Sequence, residues 1–525
     1  MNKLKSIRLI KTLILLGFSF ILLSCNNDKT VISDLDALSI KILSPKNTQV
    51  IKHNENLEFQ GQISSSTITD FSNYNVEWSS DIDGVLYQGK TNSNGFNSFS
   101  YSNLSKNIHY IRFTLSNEID EVIYDESVIY NSIWLHPITD ENSSAHLKWS
   151  KTNDSNFESY QLYRSNNKFN LENKTEELIY TSTNPQDTTF FDKQAFLGQK
   201  HYYKVFLKRK NVAPTYVGSN IDSITLGRFV NVDYPILKLA QHPNKPYIYG
   251  IVNTEDTFNS NITGYGIVLI NTETKNVEKR FLTNIRFSDL DIQGNYLYLA
   301  SRSNIIHKID LEKNQLESTF SLARSAHKIE IGSNNRLYYH ITPPTSGATE
   351  FRMYDLLNGN DIVYSSTISD AYSSFRHGDF ELDINNTIYH GESNSSNPGL
   401  SKITTINDTF GLAKQISIGD YQNPVIILNN DKLYWNHLLY DTNLNFLGSF
   451  LDDNQEIEIE TITPNGEYAL GLRRLFKTEN LTVSRYIPVI YEVSHFVDNS
   501  NLILINNEKK DASQYQSTIY FYNVE

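Results

Sequence analysis

The sequence predicts an all-β protein, two β-sandwiches in series followed by a seven-bladed β-propeller, on three observations. Aromatic residues make up 12% of 525 positions, with 33 Tyr and 27 Phe against 2 Met, a composition that suits strands better than helical packing. Short segments of period-two alternation, bounded by turn clusters, run through the region up to residue 227. Beyond Arg228 a Leu-Tyr or Tyr-x-Tyr strand that follows an Asn- or Gly-containing turn returns seven times, at intervals of roughly 34 to 51 residues, the length of a four-stranded repeat unit. Five segments result: a leader (1–24), a tether (25–36), a first sandwich (37–130), a second (131–227) and the propeller (228–525).

Lys3, Lys5, Arg8 and Lys11 precede an apolar run from Thr12 to Leu23, and small Ser24 stands before Cys25. This is the layout of a secretory signal, with an apolar part too short for a comfortable membrane span. Leu22-Leu23-Ser24-Cys25 resembles the bacterial lipobox. The resemblance implies that the Cys25 sulfur receives a diacylglycerol and that cleavage leaves Cys25 as the mature N-terminus. Two or more acyl chains, at about 0.8 kcal/mol per buried methylene, anchor firmly. Asn26 stands where an aspartate would, in some bacteria, retain such a protein at the inner membrane, so an outer-membrane lipoprotein of the cell envelope is expected, on either its periplasmic or its surface face. A retained signal-anchor helix with an incidental cysteine is the alternative.

Cys25 is the only cysteine, so the mature chain is expected to have no disulfide, thiolate metal site or cysteine nucleophile. The formal charge is −13, and −17 once the four basic leader residues are gone. Such a chain is ill suited to nucleic acid or to bare anionic lipid. Asn26 to Asp36 is polar and without apolar period, a flexible tether.

In the first sandwich Leu38-Ser-Ile40-Lys-Ile42, Leu57-Glu-Phe59, Val76-Glu-Trp78 and Ile111-Arg-Phe113-Thr-Leu115 alternate between turns. The run from Glu77 to Leu86, and Leu104 to His109 after it, resemble bacterial immunoglobulin-like or PKD-like domains. Asp81 and Asp83 match no full calcium loop and read as a polar hairpin turn. In the second sandwich Ala145-His-Leu147-Lys-Trp149, Tyr160-Gln-Leu162-Tyr163-Arg164 and Tyr203-Lys-Val205-Phe-Leu207 alternate, with Gly198 before the last. These residues resemble a fibronectin type III domain, which implies Trp149 in the core and Tyr203 at the tyrosine-corner position. His136, His146 and His201 stand singly and carry no metal signal.

The propeller marks are Tyr247, Tyr296, Leu337, Ile388, Leu433, Tyr468 and Leu504 with their neighbours. Leu290-Asp-Ile292 and Ile329-Glu-Ile331 read as inner strands, and Phe229 to Val232 as the outer strand of the last blade, whose own chain ends at Tyr520 to Val524. A closed ring protects sheet edges that a linear array would expose. The rhythm resembles YVTN-like and quinoprotein-like propellers. WD40 Trp-Asp ends and kelch double glycines are missing, and Trp435 is the one tryptophan in this segment, which argues against bound PQQ; no cofactor is expected.

Loops that lead into inner strands crowd one mouth of a propeller channel. Here they carry Arg286 with Asp289, Arg324 with His327 and Lys328, Arg376 with His377 and Asp379, Asp420 with Tyr421, and His495. Arg286, Asp289, Arg324, His327, Arg376, His377 and Asp379 are therefore the candidate ligand-binding residues at the channel mouth, suited to an anionic or sugar-like ligand or a partner loop. The bland reading is that Arg and Asp in such loops cap strands and pair with one another. No short His spacing supports a metal, and no nucleophile elbow, phosphate loop or His-Glu-x-x-His is present. Glu456, Glu458 and Glu460 read as one face of a strand, relieved by Arg473 or Arg474. The expected function is non-catalytic: a lipid-anchored envelope protein, attached to the membrane through its lipidated N-terminus, whose propeller binds an envelope protein or glycan. A polysaccharide lyase or hydrolase working in the funnel, and an accessory subunit of an outer-membrane uptake system, are the alternatives.

Overall fold

The computed structural model describes residues 38–116, 122–253, 265–301, 303–341, 351–363, 377–393, 399–417, 425–510 and 515–524. Cys25 with the leader and tether, Arg376, Asp420 and Tyr421 lie outside them. Among the described residues no helix is long and apolar enough to cross a membrane. The chain divides into two compact units, Met1–Asn131 and Ser132–Glu525.

Two sheets share the core of the first unit. One has the order Leu38–Ser44, Leu57–Ser65, Phe96–Tyr101; the other runs Gln49–Val50, Val122–Tyr130, Ile108–Ser116, Asn75–Ser80, Gly84–Lys90. Alternation along Leu57–Ser65 turns Leu57, Phe59 and Ile63 inward. There Trp78 stacks on Phe113 at 4.5 Å between centroids and meets Phe59 edge-on at 5.5 Å, while its indole N–H donates to Asn97 Oδ1 at 2.9 Å. Gly61 faces the Phe113 ring, where a Cβ would come within 2.4 Å of a ring carbon. Asp81 accepts from the Tyr110 amide at 2.8 Å and Asp83 from the Ser105 amide at 2.8 Å. Asp81 thus ties the hairpin turn to a later strand, and Asp83 ties it to the loop that leads into that strand.

The second unit begins with another pair of sheets, Thr189–Asp192, Ser144–Lys148, Thr139–Glu141 and Glu177–Ser182, Phe157–Ser165, Lys200–Arg209, with Tyr216–Gly218 and Asp222–Thr225 both against the last strand. Trp149 is buried, edge-on to Tyr160 at 5.7 Å. Tyr203 is fully buried, but its hydroxyl donates to Asp192 Oδ2 at 3.0 Å and not to an upstream backbone carbonyl as in a tyrosine corner. Asp192 is positioned for this by the buried Arg164 guanidinium, which donates to both of its carboxylate oxygens at 3.0 and 2.8 Å.

Seven four-stranded antiparallel sheets follow among the described residues. Sheet 1 is Ile236–Gln241, Tyr247–Val252, Gly266–Asn271, Asn276–Phe281; sheet 2 is Phe287–Gln293, Tyr296–Ser301, Ile305–Asp310, Gln315–Ser321. Sheet 3 is Ala326–Ile331, Arg336–Ile341, Phe351–Asp355, Asp361–Val363; sheet 4 is His377–Leu382, Ile388–Ser393, Gly399–Ile406, Thr409–Ser417. Sheet 5 is Ile426–Asn429, Lys432–Trp435, Leu438–Asp441, Phe446–Ser449, and sheet 6 is Thr461–Ile462, Tyr468–Gly471, Arg474–Lys477, Thr482–Tyr486. Sheet 7 takes Val493–Phe496, Asn501–Lys509 and Tyr515–Asn523, and its fourth strand is Arg228–Val232 from the start of the ring.

Local chemistry explains the repeat. The first hairpin of several sheets turns on a residue of positive φ, Gly294, Asn335, Asn386, Asn430 or Gly466, residue types that tolerate it. The third strands of sheets 1, 2, 3 and 5 end on Asn271, Asp310, Asp355 and Asp441, whose side-chain oxygens accept two amides of the next turn. First strands of successive sheets lie side by side, and Asn429 of sheet 5 donates to the Thr463 carbonyl beyond sheet 6's first strand at 3.2 Å. Closure falls between sheets 7 and 1. Ile503, Ile505, Ile519 and Phe521 share a core with Ile236, Ile248, Val252 and Val268, and Asn507 bonds both the amide (3.0 Å) and the carbonyl (2.9 Å) of Ile236. The arrangement is β-propeller-like, and at the seam the last sheet is completed by Arg228–Val232, the strand that opens the ring.

Candidate functional site

The inner strands of the ring are not equivalent. In sheet 1 the pairing register shifts between Ile236 and Lys238, in sheet 2 between Phe287 and Asp289, and in sheet 3 between Ala326 and Lys328. Each shift inserts one residue, Leu237, Ser288 or His327, at the same place in its sheet. A bulge of this kind re-aims the side chain it carries. All three residues border one cavity of about 880 Å³, within the ~300–1,000 Å³ of small-molecule sites; the Ser288 hydroxyl is tied to the Ala300 and Ala326 carbonyls at 3.2 and 2.9 Å.

The rest of the wall comes from sheets 1, 2 and 7. Val493 and Tyr515 give it half-buried apolar surface, with Ile251 and Phe287 buried behind it, and Lys238, Lys509 and Glu492 give it charge. Asn253 is held in place from behind, donating to the Phe287 carbonyl at 3.1 Å and accepting from Arg286 Nε at 2.9 Å.

A belt of charge runs beside the bulges. Lys238, Asp289, Lys328 and Asp379 occupy the inner strands of sheets 1 to 4 with alternating sign. Lys238 Nζ reaches Asp289 at 2.7 Å, and Lys328 Nζ lies 3.3 Å from Asp379, 3.2 Å from Glu330 and 3.5 Å from Glu381. The carboxylates also sew one sheet to the next: Asp289 accepts from the Ile329 amide at 2.7 Å, Asp291 from Ile331 at 2.6 Å and Asp379 from Ile426 at 3.2 Å.

Among the described residues of this belt and the layer beneath it, Asp289, Asp291, Glu330, Asp379 and Glu381 outnumber Lys238 and Lys328. The surplus appears as retained protons. Burial pushes Glu381 up to about 7, against the pull of Lys328. Burial and the Glu381 charge lift Glu330 well above the ordinary carboxylate range, and burial raises Asp291. Asp289 goes the other way, because Lys238 and Lys328 overcome its burial. Burial alone would favour a neutral Lys328 amine, yet Asp379, Glu330 and Glu381 hold it charged.

Of the residues expected at the mouth, His327 lines the cavity. Arg286 supports it through Asn253. Asp289 and Asp379 belong to the belt, where their oxygens are engaged by lysines and amides. Arg324 is exposed and is not part of the cavity lining. His377 opens the inner strand of sheet 4, where only its backbone is described, and Arg376 lies outside the described residues. His495, on the inner strand of sheet 7, meets Gln241 Oε1 at 3.3 Å, and burial pushes its imidazole down to about 4. No group of three His, Cys, Asp or Glu suited to a metal occurs among the described residues.

Two expectations need correction or addition. Glu456, Glu458 and Glu460 do not share a strand face: Gln455–Glu456 forms a short hairpin with Leu451–Asp452, and residues 457–460 follow outside any sheet. Arg474 pairs with Asp452 at 2.6 Å, Arg473 donates to the Ile487 carbonyl at 3.1 Å, and Glu460 is instead satisfied by the Leu472 amide at 3.1 Å. Leu237, Ser288 and Lys238 were not anticipated, although the sequence carries a signal. Phe287 and Leu290, like Ala326 and Ile329, are buried apolar residues three apart, where strict alternation places them two or four apart.

No protein-family model matches the chain. No curated protein matches it. Among solved structures, the β-propeller domain of Cps50 (Swd1) from Myceliophteria thermophila is similar at 11% identity with a TM-score of 0.43, over 57% of this chain and 99% of that one. A likeness of that size carries no argument about ligand or partner, and the propeller-like arrangement rests on sheet order and closure.

Proposed function

We propose that the chain is a lipid-anchored envelope protein whose seven-bladed propeller, residues 228–525, binds a ligand or partner at the cavity between sheets 7, 1, 2 and 3. In this reading Cys25 is acylated and fixes the protein to the outer membrane. The two sandwiches, 37–130 immunoglobulin- or PKD-like and 131–227 fibronectin type III-like, act as a spacer, and no catalysis is assigned. The observation that carries the binding site is the coincidence of three bulges on three successive inner strands, each placing its inserted residue on the wall of the same concavity. The ion pairs beside them support the same division, since Lys328 and Asp289 already have protein partners and serve as framework.

Two measurements test the reading. Labelling of growing cells with an alkyne analogue of palmitate is expected to tag the wild-type chain and leave Cys25→Ser untagged and released from the membrane fraction; equal labelling of both overturns the anchor. Capture of envelope components on the full-length protein is expected to lose its specific component in Ser288→Trp, which puts an indole into the cavity. Recovery of the same component by a folded Ser288→Trp protein removes the cavity as the binding site.

A further inference from the structure

Resting on that binding site, we infer that the cavity takes a carboxylate-bearing saccharide, the acidic end or a short stretch of a uronic-acid glycan. Charge gives the first argument. On a chain of net charge −13, this wall gathers the ammonium groups of Lys238 and Lys509, with the His327 imidazole as a further polar group, against the carboxylate of Glu492 among the described lining residues. Lys238 gives one bond to Asp289 and keeps 44% of its side chain exposed. An ammonium has three donors, so it can hold Asp289 and an incoming carboxylate together.

Shape gives the second argument. About 880 Å³ accommodates a few sugar rings, and the half-buried Tyr515 ring offers flat apolar surface for their C–H faces, with the Lys509 ammonium 5.9 Å from its centroid.

The third argument disfavours an extended peptide. Strand addition needs an open line of backbone donors and acceptors. Here Asp289 and Asp291 side chains take the Ile329 and Ile331 amides, and Asn507 takes both the amide and the carbonyl of Ile236. Recognition therefore falls to side chains, which suits a ligand that presents carboxylates and hydroxyls.

Calorimetric titration of the full-length protein in detergent tests the inference with tetramers of galacturonate and of mannuronate, their carboxyl-reduced counterparts and a tetraglutamate peptide. At least one uronate tetramer is expected to bind tenfold or more tighter than its reduced form, with affinity that falls as salt rises. Lys509→Glu, an exposed position, is expected to weaken it at least tenfold, and Lys238→Met likewise if that variant folds. Equal affinity for reduced and acidic forms, tighter binding of tetraglutamate, an unaffected Lys509→Glu protein, or no binding of either uronate each overturns the inference. If no uronate binds while Ser288→Trp still abolishes capture of the envelope component, the ligand class falls and the binding site stands. If Ser288→Trp changes nothing either, both fall.

Discussion

In sheets 1, 2 and 3 the inner strand takes one extra residue near its start, whereas in sheets 4, 5 and 6 the same strand pairs with its neighbour without interruption. Both halves repeat one architecture, with a Leu-Tyr second strand, a positive-φ turn and buried alternation. They differ in where a polar inner-strand side chain goes. On the bulged side the inserted residue lies on a cavity wall while the next residue joins the ion-pair belt. On the regular side Asp379 is engaged by Lys328 of the belt and by the Ile426 amide. A single inserted residue thus separates a framework role from a recognition role within a repeat, and changes at the two kinds of position should have opposite signatures in stability and binding.

The largest effect is expected where the halves meet. Lys328→Met leaves Asp379, Glu330 and Glu381 facing one another without their cation. Removing one member of a buried ionic group costs about 3–5 kcal/mol, and urea denaturation should register it. A loss within error would mean that the belt is not framework. Next comes the seam: Asn507→Ala strips the Ile236 amide and carbonyl of their side-chain partner, while the Ser517 hydroxyl keeps the Tyr234 carbonyl. Unmatched buried groups of this kind cost about 1–3 kcal/mol, and the loss should appear as faster hydrogen exchange in Arg228–Val232 and its neighbours in sheet 7.

A smaller effect has a sign that identifies its source. Glu381 ionises near pH 7 in the folded protein, against an ordinary value of 4.5. Between those values the native state binds more protons than the unfolded chain, so the stability contributed by this group is present below about pH 4.5 and is lost as pH rises toward 7. Glu381→Gln should flatten that part of the stability profile. An unchanged slope would show that the carboxyl is not held protonated by its burial. The smallest stability effect belongs to the bulge: His327→Ala, at an exposed position, should stay within about 0.5 kcal/mol of wild type while it weakens ligand binding.

How much of this was legible in the sequence differs between the same two classes of residue. The second strands could be read because Tyr296-Leu-Tyr298 or Arg336-Leu-Tyr338 combine high β-propensity with an Asn or Gly turn just before them. The closing strand at Phe229 could be read because its alternation had no partner nearby in sequence. Asp289 and Asp379 were noticed for their charge, but charge does not say whether a carboxylate faces a ligand or the next sheet's amide. That depends on spacing between sheets, which a single strand does not encode. Ser288 and Leu237 carry no chemical flag at all. They matter because of a register shift, a property of two strands together, and only the three-residue gap between Phe287 and Leu290 announces it. The Tyr203 hydroxyl taught a similar lesson, since its position resembles a tyrosine corner while its partner is set by Arg164 and Asp192.

The central claim is that the bulged side of the ring recognises and the belt supports. Titration of Ser288→Trp with the uronate tetramer, alongside Leu237→Trp as a second way to fill the same cavity, tests it most directly. Near-ultraviolet circular dichroism serves as the check that each variant is folded. The account predicts a native spectrum and no heat of binding for at least one of the two. A folded variant that fills the cavity and still binds with wild-type affinity would contradict it.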